Sequence, residues 1–508
     1  MMPDAELAWR RWVVRWALVS LALIVLACVV SGGFLHPDEY FQTIEFAALK
    51  LGRTDPSALP WEYAARIRPW LQPALYVALA KGAMAAGIVN PFHQVLLFRL
   101  FGGLCLWLAI LALMRSAKPL EASVRRWMVA SLACLWYLPY LAARTSSETL
   151  SASFLALGLC CLLPTTGKVD GGAPELPPAR FLLAGALLGV SFSFRYQAAF
   201  AALGVGLWVL FTARATPLTA LARATLLVAG FAGPLALSLP IDHWGYGSWS
   251  FPPWNYFYEN IVAHRAAAFG TKPFWYYFIL LNRSAAAPLT VLLTAAFAIF
   301  AVRFPRHPFT WASVALFLCH SAVGHKELRF LFPLMLPAAF FIPMAFGQPG
   351  PRGAAVFAKI WAQRGRWPGR ILVAVNGAAL LALLLTAPVR QLTAQRYLRH
   401  DLPGGGVVHC SADPFLFGPL RMGFHRHPDD QVRVVDGPGL AATVAASRAP
   451  VYYLHDGLTL PEGVGGKATR LHGSAPAWIS RFNFGGWVDR LRLVTAWRIE
   501  PPSGAREK

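Results

Sequence analysis

The chain has 508 residues, of which 56% are hydrophobic and 14% charged, and a net charge of +22. Apolar stretches near the ~20 residues needed to cross a bilayer recur along most of its length, which excludes a soluble α/β enzyme. Its Lys and Arg fall in short clusters between those stretches, not in an aromatic-interleaved basic stripe. They therefore mark cytoplasmic loops and exclude nucleic acid as a partner.

The first apolar stretch, 12 to 32, follows Arg10 and Arg11 and lacks a small-x-small cleavage site, so it reads as a signal anchor. Directly after it stands His36-Pro37-Asp38-Glu39-Tyr40-Phe41-Gln42, with two adjacent carboxylates where a helix leaves the bilayer. Further apolar stretches lie near 70–88, 95–114, 127–142, 149–163, 181–194, 198–211, 224–240, 284–302, 309–323, 329–346 and 371–388. The stretch 70–88 carries Gln72, Pro73 and Lys81 and is framed by Pro69 and Pro91. If it crossed, Arg115, Lys118, Arg125 and Arg126 would lie outside, as would Arg352, Lys359, Arg364, Arg366 and Arg370, against the positive-inside rule. Laying it in the outer interface makes both clusters cytoplasmic, together with Arg303 and Arg306.

The resulting expectation is an all-α polytopic membrane protein of about 11 transmembrane helices, with the N-terminus inside. Residues 1–390 form the membrane domain, and 33–93 its first external loop, whose Trp61, Tyr63 and Trp70 suit the headgroup level. Beyond Pro388, the turn Pro403 to Gly406 and β-rich runs at 406–410, 432–435, 451–454 and 491–497 predict a small external α/β domain over 391–508. Six of the seven cysteines lie in apolar stretches and read as core residues, not as a disulfide framework or a zinc site. His427-Pro428-Asp429-Asp430 echoes the first motif, and with His425 it has a faint metal-site look, but a solvated loop is the simpler reading. No metal or cofactor is expected.

On this topology the polar groups that loop charge does not explain reach one face of the membrane. They are His36, Asp38, Glu39 and Gln42; Arg144-Thr145-Ser146-Ser147-Glu148; Arg195-Tyr196-Gln197; Asp242, His243 and Trp244; and His325-Lys326-Glu327-Leu328-Arg329. Asp38 and Glu39 fit either a helix cap or a general base whose pKa is raised by partial burial. Glu148 fits a cap of the next helix. Arg195, between two short apolar stretches, needs a counter-anion, which a lipid-linked phosphate would supply. Lys326 as a point charge and Arg329 as a fork fit an anion site, the alternative being a self-neutralised helix end.

His36-Pro37-Asp38-Glu39-Tyr40-Phe41-Gln42 and His325-Lys326-Glu327-Leu328-Arg329-Phe330 together resemble the paired signatures of glycosyltransferase family 22, the multi-spanning mannosyltransferases of GPI-anchor and N-glycan precursor assembly. Trp61-Glu62-Tyr63 with Ile67-Arg68-Pro69 resembles the family's first lumenal loop. Arg144-Thr145-Ser146-Ser147 resembles its Arg-Thr-x-Ser-Asn segment, with Glu148 in place of the Asn, and Gly270-Thr271-Lys272-Pro273 to Tyr277 resembles its Gly-Thr-x-Pro-x-x-Trp-Tyr segment. His409-Cys410-Ser411 resembles the start of its tail.

The resemblance implies a GT-C fold whose site opens to the lumen or periplasm. It also implies an inverting enzyme that takes mannose from a polyprenyl-phosphate donor. Carried over residue by residue, Asp38 or Glu39 is the base, and His325, Lys326 and Arg329 face the donor phosphate. His36, Gln42, Arg144, Glu148 and Arg195 complete the expected substrate-binding set. The implied partners are the lipid-phosphate sugar, a glycolipid or lipid-linked glycan acceptor, and membrane lipids. The compact, Ala- and Arg-rich chain suits a bacterial inner membrane, and a eukaryotic member would sit in the endoplasmic reticulum. The alternatives are a flippase for lipid-linked sugars or a GT-C transferase of another sugar. Suspicious charges at only one end of the spans, with no internal repeat, favour an enzyme over a transporter.

Overall fold

The computed structural model describes residues 3–502 apart from 165–175, 213–215, 285, 348–366, 387–388, 401–406, 428, 489–490 and 492. Arg352, Lys359, Arg364 and Arg366, and the expected turn Pro403 to Gly406, lie outside the described residues. The chain divides into two compact units. One comprises Met1–Ser31, Trp61–Ala80 and Leu96–Leu385; the other comprises Gly32–Pro60, Lys81–Val95 and Thr386–Lys508.

The first unit is helical, and each apolar stretch expected from the sequence is helical over most of its length. Among the described residues four helices, Glu6–Val30, Pro91–Ser116, Pro217–Tyr246 and Leu328–Gly347, are long and apolar enough to cross a membrane. Shorter apolar helices, among them Ser147–Cys161, Pro178–Phe194, Ala198–Thr212 and Ala287–Arg303, accompany them. The protein is thus a multi-pass membrane protein. The expected stretch 127–142 is two helices, Ala122–Cys134 and Tyr137–Ala142. At the break the Asn376 side chain accepts from Trp136 N at 3.0 Å and donates to Cys134 O at 2.9 Å, meeting the backbone groups that the interrupted ladder frees.

Small residues set the helix spacing, because lipid tails give apolar faces no reason to leave them. Helix Pro178–Phe194 packs along Pro217–Tyr246 through Gly185 and Gly230. A Cβ at Gly185 would lie 2.0 Å from Leu227 O, and one at Gly230 would lie 2.1 Å from Leu182 O.

The second unit carries strands β1 (Val407–Cys410), β2 (Leu416–Phe417), β3 (Leu420–Arg421), β4 (Gln431–Val434), β5 (Val451–His455), β6 (Lys467–Gly473) and β7 (Thr495–Glu500). Five of them form one sheet in the order β4-β1-β5-β7-β6, with β1 parallel to β4 and β5, and β7 antiparallel to β5 and β6. Alternation along the strands gives the sheet two apolar faces. Val408, Cys410, Leu454 and Ala496 bury against Ala394, Tyr397 and Leu398 of helix Arg390–His400. On a separate cluster, Val451, Tyr453 and Ile499 bury against Leu440 and Val444 of helix Gly437–Ala446. The segment is therefore a small helix-covered α/β sheet. Its strands β6 and β2–β3 fall outside the runs expected from the sequence, and β7 begins later than expected.

Candidate catalytic site

The expected site residues fall into both units. In the second, Pro37–Glu39 opens a helical run that continues through a π turn, Tyr40–Ile44, into the α-helix Glu45–Lys50. Pro37 at the first helical position and a preceding residue with a side-chain acceptor favour a helix start here. His36 supplies the cap: its Nδ1 accepts from Asp38 N at 3.2 Å. Glu39 completes a capping box, its Oε1 accepting from Leu35 N at 3.0 Å and His36 N at 3.3 Å.

The two adjacent carboxylates are thus held differently. Glu39 is 5% exposed and spends one oxygen on backbone amides. The Asp38 side chain is 22% exposed and lies 3.4 Å from His36 Nδ1. Gln42 is buried in the π turn.

The later motif makes two hydrogen bonds of the same kind. His427 Nδ1 accepts from Asp429 N at 3.3 Å, and the Asp430 carboxylate accepts from His427 N at 2.7 Å. The sequence echo is therefore a geometric one, and His-Pro-Asp-acid is first of all a turn. What distinguishes the first copy is its setting. Tyr40 stacks on His425 with ring centroids 5.7 Å apart, and its hydroxyl lies 2.8 Å from His425 Nδ1. Glu45, 1% exposed, accepts from Phe424 N at 2.9 Å. Burial pushes its carboxyl up to about 7, against the opposing pull of the Phe424 and Gly423 amides and the Tyr40 hydroxyl. Sequence reasoning passed over Glu45; a carboxylate inside Ile44-Glu45-Phe46-Ala47-Ala48 was the signal available.

In the first unit, Arg195 ends helix Pro178–Phe194, and Glu148 lies in the first turn of helix Ser147–Cys161, capped by Ser146. Arg195 Nη2 and Glu148 Oε1 are 3.1 Å apart, with side chains 6% and 4% exposed. Arg329 Nη1 approaches the same oxygen at 3.9 Å, while its Nε pairs with Glu327. His325 Nε2 lies 2.8 Å from Glu327 Oε1, and its Nδ1 lies 3.1 Å from Gly270 O. The Glu327 carboxylate raises the His325 pKa, opposed by burial. The aromatic face of Phe330 lies 5.9 Å from the Arg195 guanidinium and 5.6 Å from that of Arg329.

The counter-anion of Arg195 is therefore a carboxylate of the chain itself. Two guanidiniums and one imidazole meet two carboxylates, so an incoming anion would compete with Glu148 and Glu327 for them. Lys326 and Arg144 stand apart from these pairings. The Lys326 ammonium donates to Ser321 O at 2.9 Å and to Val323 O, carbonyls at the end of helix Pro308–Ala322. Arg144 donates to Ser31 O and, at 2.6 Å, to Ser31 Oγ, and lies over the Tyr140 ring. Asp242, flagged by sequence, accepts from Trp70 N at 2.8 Å and fixes the start of helix Leu71–Ala85.

Residues 15–389 match the model of the Alg9-like mannosyltransferase family. Similar curated proteins include GPI alpha-1,2-mannosyltransferase 3 of Xenopus laevis, 23% identical over 65% of this chain and 59% of its own length. Another is GPI mannosyltransferase 3 of Gibberella zeae, 25% identical over 63% of this chain and 58% of its own length. The chain thus spans less than two thirds of the length of either relative. Among solved structures, ArnT from Cupriavidus metallidurans bound to undecaprenyl phosphate superposes with a TM-score of 0.55 at 15% identity, covering 98% of this chain and 99% of its own. The archaeal oligosaccharyltransferase AglB from Archaeoglobus fulgidus, in complex with an inhibitory peptide and a dolichol-phosphate, gives 0.51 at 12% identity, covering 90% and 70%. These likenesses show a shared GT-C fold, and with a family model spanning most of its length the chain belongs to the Alg9-like mannosyltransferase family.

Proposed function

We infer that the chain is an inverting mannosyltransferase. In this reading it moves mannose from a polyprenyl-phosphate donor to a hydroxyl of a glycolipid or lipid-linked glycan at the external face of the membrane. About eleven spans carry the chemistry, with 1–390 as the membrane domain, 33–93 as its first external loop and 391–508 as an external α/β domain. The observation that carries the reading is the division of labour in the first motif. Glu39 is engaged by two backbone amides, and Asp38 keeps a partly exposed carboxylate beside them.

Asp38 takes the proton of the acceptor hydroxyl as that oxygen attacks the anomeric carbon from the face opposite the phosphate. The bond from the anomeric carbon to the phosphate oxygen breaks, and the lipid phosphate leaves with the electron pair. Arg195, Arg329 and His325 are the cations assigned to that leaving group, where charge develops as the bond breaks. Glu148 holds the two guanidiniums in place, while His36, Gln42, Lys326 and Arg144 act through the backbone segments they order.

The test is transfer from labelled polyprenyl-phosphate-mannose to lipid extracts of cells lacking the chain. Asp38→Asn should abolish transfer at normal accumulation, and turnover at the wild-type rate in that variant removes the assignment. A reporter fused after Arg126 should read cytoplasmic; an external reading would make 70–88 a true span and break the one-sided site.

A further inference from the structure

Tyr40 follows Asp38 by two positions in one helical run, and its hydroxyl lies 2.8 Å from His425 Nδ1, while Glu45 of the same run accepts from Phe424 N at 2.9 Å. We propose that Glu45, Tyr40 and His425 are positioning residues for Asp38, the hydrogen bonds Glu45–Phe424 and Tyr40–His425 together locking segment 423–425 onto the run that begins with the Asp38 turn. The proposal rests on the mannosyltransferase reading only for what Asp38 does.

Four observations in the same unit support the lock. Glu45 Oε1 accepts from Phe424 N at 2.9 Å. His425 is 4% exposed, stacked on Tyr40 and packed against Phe92 with ring centroids 4.4 Å apart. Gly423 sits so close to Arg53 and Thr54 that a Cβ there would meet Arg53 O at 2.9 Å, so the segment cannot shift toward that turn. Arg53 donates to Phe424 O at 3.4 Å and lies over the Phe424 ring at 4.7 Å.

The lock has two states, Glu45 ionised and Glu45 protonated, and one proton selects between them. The groups that bear on this choice are Tyr40, His425 and Arg53, with Arg399 acting on Arg53. Ionised Glu45 holds the Phe424 amide more strongly than the neutral acid does, so the lock is tight in the first state and loose in the second. Burial places the Glu45 carboxyl at about 7, where the two states interchange near neutral pH.

Two variants separate positioning from mere folding. Glu45→Gln fixes the neutral state at every pH while keeping the volume and an amide oxygen for the Phe424 amide. Tyr40→Phe removes one hydroxyl and keeps the ring on His425. The full-length protein in detergent should show about a tenfold loss of kcat in either variant at about pH 8, with the donor KM unchanged. Wild type should drop to the Glu45→Gln level as pH falls to about 6, while the variant itself stays flat relative to it. Arg421 and Arg426, both exposed, are trypsin sites on either side of the lock. At about pH 8 they should be cut several-fold faster in Glu45→Gln than in wild type, a comparison at one pH that cancels the protease's own titration. Equal cleavage in the two proteins, or a Glu45→Gln kcat profile parallel to wild type, overturns the proposal. If wild type transfers no mannose yet the cleavage difference is present, the mannosyltransferase reading fails and the lock stands.

Discussion

Replacing Arg195 by Met deletes the nearest cation to a carboxylate that is only 4% exposed. Breaking a buried ion pair by removing one partner costs roughly 3–5 kcal/mol, because the other charge stays behind without its counter-ion. Arg329 still approaches Glu148 at 3.9 Å, so the loss should fall at the lower end, about 3 kcal/mol. Glu148→Gln is milder, about 2 kcal/mol, because the amide oxygen can still accept and Arg195 keeps Ser147 Oγ at 3.4 Å and the Phe330 face. The double variant removes both charges together and should cost only about 1–2 kcal/mol, a coupling of roughly 3 kcal/mol. Chemical unfolding of the four detergent-solubilised proteins measures the cycle. Additivity within about 0.5 kcal/mol would refute the claim that Glu148 is the counter-ion of Arg195.

The capping box predicts that Glu39→Ala lowers stability by about 1 kcal/mol in the same unfolding assay, while Glu39→Gln, which keeps the acceptor oxygen, retains most transfer activity. Loss of all transfer in Glu39→Gln at normal accumulation would move the base from Asp38 to Glu39. His325 has its pKa raised above the ordinary 6.5 by Glu327, so the stability it adds is fully present below 6.5 and is lost as pH rises through the raised value. Thermal unfolding followed from about pH 6 to about pH 8 should show this fall in wild type and a flatter profile in His325→Gln. Gly185→Leu drives a side chain into a backbone carbonyl that a bare Cβ would already meet at 2.0 Å. It should therefore abolish accumulation of folded protein, whereas the same change at Gly206, where nothing lies within 4 Å, should be tolerated.

The apolar stretches were legible because a membrane leaves the backbone few options: an element that must satisfy its own amides and face lipid becomes a helix. The two motifs were legible as signatures, and the turn at His36 followed from Pro37 and the acids behind it. Charge partners were not legible. Arg195 needed an anion on any reading, but Glu148 lies 47 positions earlier in the chain, and only packing of two helices brings it to 3.1 Å. Lys326 sits in a signature rich in cations, yet the unpaired carbonyls of the preceding helix claim its ammonium. Tyr40 and Glu45 were hidden for a similar reason, because their partners Phe424 and His425 come from far along the sequence. Local rules act over a few residues, and buried polar groups are satisfied wherever the fold brings donors.

The π turn at Tyr40–Ile44 has a consequence for the history of this motif. Such a turn is an α-helix carrying one residue more than its ladder requires. Losing any one residue there would heal the hydrogen-bond ladder, yet would rotate everything before it by about 100° relative to Glu45. The Asp38 turn and the Glu45 carboxylate would then no longer share the facing they have now. Side chains within the turn can drift, but its length cannot. Among descendants of a common ancestor, a gap or an insertion between His36 and Glu45 should therefore coincide with a changed or abandoned activity more faithfully than substitution at any single position between them.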